Sequence, residues 1–138
     1  MRYLIDTNIF TKFVVEDDLL SDDINAILDD YENIICISSE SIKEFIHLVQ
    51  KGKIVPKKEV RFLDVFNLIE NILGFNVKYV SKEHLRALTR LELVENHNDP
   101  SDRLIISQAI TEKMTLISSD SKFPKYRKYG LNLITAGC

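Results

Sequence analysis

The sequence is short of several things that would settle its class at once. Among its 138 residues are only two cysteines. Cys36 sits inside an apolar run and Cys138 is the last residue, so neither a disulfide framework nor a cysteine zinc site is indicated. No apolar run approaches the length needed to span a bilayer. The opening MRYLID is strand-like rather than a basic region with an apolar stretch and cleavage site, and the expectation is a cytoplasmic protein. Positive charge is not in excess either, with 18 Lys and Arg against 21 Asp and Glu and a net charge of −3. Domains that coat nucleic acid by bulk attraction are usually basic, so that class is disfavoured. A nuclease is not, because a divalent metal reverses the local sign of an acidic site while surrounding basic residues hold phosphates. Internal repeats, low-complexity tracts and linkers are all missing.

What is present is an ordinary globular composition, 45% hydrophobic and 28% charged. A single domain over residues 1–138 is expected, long enough to bury roughly two-thirds of its unfolded surface. Tyr3 to Ile5 reads as a strand ending at Asp6-Thr7-Asn8, and Ile9, Phe10, Phe13 and Val14 follow at helical spacing. The acids at 16–18 and 22–23 read as a solvated face leading into a second helix, with Ile24, Ile27, Leu28 and Tyr31 inward. Ile34 to Ile37 is a buried strand, after which Ser38 or Ser39 caps a third helix that ends near Gly52. On that helix Glu40 and Glu44 are neighbours away from the apolar stripe, and periodicity does not choose between them.

A fourth helix opens at Pro56 and carries Val60, Leu63, Phe66, Ile69 and Ile72, with Gly74 as its left-handed terminator. Phe62, Val65 and Leu73 widen its apolar face, which makes 57–73 either a subunit or partner interface or a wider contact with the core. Phe75, Val77 and Tyr79 alternate as in a half-exposed edge strand. Ser81 caps a fifth helix through Leu85, Leu88, Leu91 and Val94. Strands at Thr115 to Ile117 and Leu131 to Ile134 complete the chain, with Asp120 just beyond the first of them.

The stretch that organises the rest is NHNDPSDRLIISQAI, residues 96–110. Pro100 suits the first helical position, leaving Asp99 as N-cap. At 100° per residue, Ile105, Ile106 and Ala109 lie within about 60° of Asp102, so an acid heads the buried stripe. An unpaired buried carboxylate costs several kcal/mol, so a metal ion or a basic side chain should meet it. A mere capping pair, Asp99 with Asp102 near the positive end of the helix dipole, is the plainer alternative.

Helices between strands imply right-handed crossovers and a mostly parallel sheet, with sites beyond the strands' carboxyl ends. Asp6 and Asp120 stand at such ends, and Asp102 begins a helix nearby. Two unit charges about 4 Å apart repel by roughly 4 kcal/mol at an effective dielectric near 20, so converging acids call for a divalent cation. Without a convincing His or Cys ligand the oxygen set selects a hard ion, Mg²⁺ or Mn²⁺, which activates water and offsets charge in phosphodiester hydrolysis.

With these residues in place, the chain resembles a PIN domain, and within that family the VapC ribonuclease toxins of toxin–antitoxin pairs. The resemblance spans essentially the whole chain and rests on LIDTN, SIKEF, DPSDRLIISQA and SSD in that order. It implies a three-layer α/β/α sandwich, a Mg²⁺- or Mn²⁺-dependent endoribonuclease, an antitoxin partner and a homodimer. Carried over, Asp6, Glu44, Asp102 and Asp120 match the acidic quartet, with Asp6, Asp102 and Asp120 as metal ligands. The match also selects Glu44 over Glu40. Asp99 is expected as an auxiliary acid, and Thr7 and Ser119 as small polar residues that bond carboxylates or phosphate. Ser101 stands where many relatives have Phe.

Around these, Arg103 is expected to pair with a neighbouring acid ahead of meeting phosphate, and His97 to be a solvated loop residue ahead of a general acid. His47 and His84 receive no role. Lys122, Lys125, Arg127 and Lys128, interleaved with Phe123, Tyr126 and Tyr129, form either a solvated turn or a grip on single-stranded RNA. Three rival functions are a housekeeping PIN nuclease, a phosphatase with an aspartyl nucleophile, and a non-catalytic module whose acids receive a partner's arginine. The phosphatase wants an acid where Asn8 stands.

Overall fold

The computed structural model describes residues 1–15, 20–54, 64–94 and 97–136. Its strands are β1 (Arg2–Ile5), β2 (Ile34–Ser38), β3 (Asn76–Lys78), β4 (Thr115–Ser118) and β5 (Asn132–Thr135), and they pair in the order β3-β2-β1-β4-β5. Every pairing is parallel. The chain first builds outward from β1 on one side and then crosses to β4 on the other. The switch between β1 and β4 opens a crevice at the carboxyl edge, where parallel sheets place their sites.

Alternation along the strands divides the core. Ile5, Ile37 and Ile117 lie in register and face one layer, while Leu4, Cys36 and Leu116 lie in register and face the other. On the first face pack α1 (Thr7–Val15), α2 (Asp22–Asp29) and α3 (Ser39–Gln50) through Phe10, Ile24, Ile42 and Phe45. On the second packs α5 (Pro100–Glu112) through Ile105, Ile106 and Ala109, with α4 (Lys82–Arg90) against α5. The architecture is the expected three-layer α/β/α sandwich. Among the described residues no helix is long and apolar enough to cross a membrane.

Caps fall where the sequence places them. Ser38 Oγ accepts from Glu40 N–H at 3.1 Å and Ser81 Oγ from His84 N–H at 3.4 Å, while Gly52 and Gly74 take φ of +72° and +70°.

Four expectations are corrected. The described part of the fourth helical segment, Asn67–Ile72, is π-helical rather than α-helical. Its wider turn buries Val65, Leu68 and Ile69 and leaves Phe66 and Ile72 exposed, against the 3.6-residue spacing. Residues 55–63, where its start was expected, lie outside the described residues, as do the acids at 16–18. Helix α2 stops at Asp29, so Tyr31 points outward instead of inward. Helix α4 stops at Arg90 and presents His84, not Leu85, to the interior. In the basic-aromatic run 122–129 the basic residues are exposed, but the 3₁₀ helix Phe123–Tyr129 buries Phe123 and Tyr126, which are therefore not open for stacking.

Candidate active site

Asp6 is the first residue beyond β1, and its N–H still pairs across the crevice with the Ile117 carbonyl at 3.2 Å. Its Oδ1 accepts from Ile9 N–H at 2.9 Å and so caps α1, which leaves the side chain no freedom. Its Oδ2 accepts from Ser118 Oγ at 2.5 Å, and the same hydroxyl accepts from Asp120 N–H at 3.0 Å. One serine at the end of β4 thereby links the first acid to the last. Asp6 is 5% exposed, and burial is the main reason its carboxyl is pushed up to about 6; the bonds from Ser118 and Ile9 oppose the rise, and Asp102 and Asp120 add to it.

Asp102 is delivered by the start of α5. Asp99 Oδ1 accepts from Asp102 N–H at 3.0 Å and Pro100 occupies the first turn, as the sequence indicates. Burial raises the Asp102 carboxyl, then the charge of Asp99, while a contact from His97 Nε2 at 3.3 Å opposes the rise. Glu44 comes from α3, and its carboxyl is also raised, by burial and then by Asp102 and Asp99. Glu40, its neighbour one turn away, is engaged otherwise, accepting from Ser101 Oγ and Lys43 Nζ, each at 3.0 Å.

Asp6 thus feels Asp102 and Asp120, and Glu44 feels Asp102 and Asp99. Asp102, Asp120 and His97 each place a ligand atom within 4.8 Å of the others. A divalent cation would relieve the burial and like charge that hold up Asp6 and Asp102; His97, Asp102 and Asp120 are the described residues whose ligand atoms are grouped closely enough to share one, and Asp6 stands outside that group.

The surroundings differ from expectation in three places. His97 is 4% exposed rather than solvated. Arg103 donates to the Leu91 carbonyl and makes no ion pair with an acid among the described residues. The hydroxyl on the Asp6 carboxylate is that of Ser118, one residue before Ser119. Thr7 Oγ1 is buried with no hydrogen-bond partner among the described residues. The tyrosine that meets His97 was not singled out for that contact, and no periodicity in 122–129 marks it.

These features define a class: a parallel α/β protein with an acidic, cation-ready pocket at the topological switch. The PIN domain model matches residues 3–129, and the chain belongs to the PIN domain family. Two solved structures share the fold. VapBC2 from Rickettsia felis bound to a DNA fragment from their promoter matches at TM-score 0.67 and 21% identity, covering 99% of this chain and 100% of that one. A toxin–antitoxin complex from Klebsiella pneumoniae matches at TM-score 0.63 and 19% identity, covering 96% of each chain. Among curated proteins, none matches this sequence.

Proposed function

We propose that the chain is a Mg²⁺- or Mn²⁺-dependent endoribonuclease that hydrolyses RNA phosphodiester bonds and acts as the VapC-type toxin of a toxin–antitoxin pair. The observation that supports this reading is the grouping of Asp102, Asp120 and His97 within 4.8 Å, with Asp6 linked to Asp120 through Ser118 and with Asp6, Glu44 and Asp102 each raised in part by like charge. A bound hard dication would supply Lewis acidity toward phosphate and activation of a water. Asp6 is locked by α1 and Ser118, which preorganises its carboxylate. Asp102 stands on the first turn of α5, and Asp120 is tied to Asp6 through Ser118. Glu44 completes the negative rim, and Asp99 reinforces it while capping α5.

The two structural neighbours are a VapBC assembly and a toxin–antitoxin complex, which supports an antitoxin as partner. Phe66, just before the π-helical segment, and Ile72, its last residue, are exposed and suit a homodimer contact. Asp6→Asn and Asp102→Asn should each abolish Mn²⁺-dependent cleavage of RNA while retaining the circular dichroism of the wild type. Cleavage that survives in both variants refutes the site.

A further inference from the structure

We propose that His97 is a positioning residue for this pocket, the second member of a buried relay Tyr126–His97 that orients the Asp102 carboxylate for its cation. The relay rests on the nuclease reading only in taking Asp102 as a metal ligand.

The direction of the relay follows from which atoms can donate. A carboxylate oxygen accepts, so His97 Nε2, which faces Asp102 Oδ2, is the ring atom that carries a proton, leaving Nδ1 as an acceptor. The Tyr126 phenol is placed to donate to it. His97 Nδ1 is 2.6 Å away, while the His97 carbonyl stands at 3.5 Å, so Tyr126 donates to the ring. With Nδ1 accepting, the ring proton is on Nε2, which faces Asp102 Oδ2 at 3.3 Å. The opposite polarity would set a bare ring nitrogen against a carboxylate oxygen, two acceptors face to face. Both donors in the relay thus point toward Asp102, and the histidine proton engages its Oδ2.

The ring is also fixed mechanically. It meets the edges of Phe123 and Tyr126 at centroid distances of 5.7 and 5.4 Å, and His97 N–H donates to the Val94 carbonyl at 3.0 Å. The 3₁₀ helix Phe123–Tyr129 is what brings both aromatics to the pocket. Histidines that hold a carboxylate or a metal ligand in this indirect way typically change metal affinity tenfold to a hundredfold when removed.

The test measures Mn²⁺ binding to the full-length protein by calorimetry, with no RNA present, so it is read separately from nuclease activity. His97→Ala should weaken Mn²⁺ binding by about tenfold to a hundredfold, and His97→Gln, whose amide N–H reaches toward the same oxygen, should recover most of that loss. Tyr126→Phe keeps the ring packing and removes only the phenolic proton; it should weaken Mn²⁺ binding by about threefold or more. Unchanged Mn²⁺ affinity in Tyr126→Phe and His97→Ala overturns the relay. So does a histidine-nitrogen coupling to Mn²⁺ in pulsed electron paramagnetic resonance of the wild type, which would make His97 a ligand. A wild type that binds Mn²⁺ yet never cleaves RNA would remove the nuclease reading and leave the relay to be judged on these affinities.

Discussion

His84 and His97 are 1% and 4% exposed, and each lies against one carboxylate, Glu112 at 2.8 Å and Asp102 at 3.3 Å. The two pairs are chemically alike, yet their acids move in opposite directions. His84 Nδ1 accepts from Ser81 N–H at 2.9 Å, which leaves its Nε2–H for Glu112. Lys78 and Arg2 stand at 3.5 and 3.7 Å from the same carboxylate. The His84 bond, helped by Lys78, holds Glu112 below its ordinary value. Around Asp102 the neighbours are Asp99 and Asp120, and burial with like charge holds that carboxyl up despite His97. A histidine–carboxylate pair among cations is a joint between α4 and α5. The same pair among acids leaves Asp102 surrounded by like charge, a penalty that a divalent cation would relieve.

The sharpest way to break this comparison is to neutralise each acid in turn. Asp102→Asn should lower RNA cleavage by a factor on the order of 10³ or more, whereas Glu112→Gln should leave it within about twofold. Equal losses would mean that both pairs serve the same end. Next in size, His84→Ala should lower stability by about 2 kcal/mol, read as a drop of roughly 8 °C in Tm, with turnover per folded molecule retained. Its Mn²⁺-induced rise in Tm should match that of the wild type, because ligand stabilisation depends only on affinity for the folded state.

The pH dependence sharpens the contrast further. Asp6, raised from 3.8 to about 6, favours the folded state most when protonated. Its contribution is full below the ordinary value and is lost as pH rises through about 6. In the absence of divalent metal, stability in urea should therefore fall between about pH 4 and 6, by at most about 3 kcal/mol from this group, and Asp6→Asn should flatten that slope. Glu112 runs the other way. With its carboxyl lowered from 4.5, its contribution is present above that value and lost as pH falls through the folded one, so Glu112→Gln should blunt acid destabilisation. The smallest expected effect is Ser118→Ala, which keeps all the acids but unlinks Asp6 from Asp120. A loss of about tenfold in cleavage is expected, and kinetics at saturating Mn²⁺ would measure it.

Much of this site was legible along the chain because its acids sit at punctuation marks. Asp6 follows an apolar run, Asp120 follows another, and Asp99-Pro100 announces a helix start whose first turn carries Asp102. Glu44 was different, since Glu40 lies at an equivalent place on the solvent side and only the family pattern separated them. The structure brings Glu44 under the influence of Asp102 and Asp99 and turns Glu40 to Ser101.

What stayed hidden depended on contacts between distant segments. Tyr126 meets His97 across 29 residues and Ser118 meets Asp6 across 112, and no local spacing reports either. The aromatic residues of 122–129 looked suited to stacking on bases because an alternating basic pattern reads as surface. Two of them are instead spent on the core, as a 3₁₀ turn of about three residues carries Phe123 and Tyr126 to the same side. The fourth helical segment misled for a similar reason, since a π-helical turn shifts the buried face away from the 3.6-residue register.

By itself the sequence determined the strands, most helix caps and the three-layer plan, because hydrophobic period and capping chemistry act over a few residues and need no partner elsewhere. Only the tertiary structure decided that β1 lies between β2 and β4, that Ser118 rather than Ser119 meets Asp6, and that one buried histidine braces two helices while the other faces the acids. Those outcomes depend on which surfaces pack together. Burial and neighbouring charge then give identical side chains opposite electrostatic surroundings.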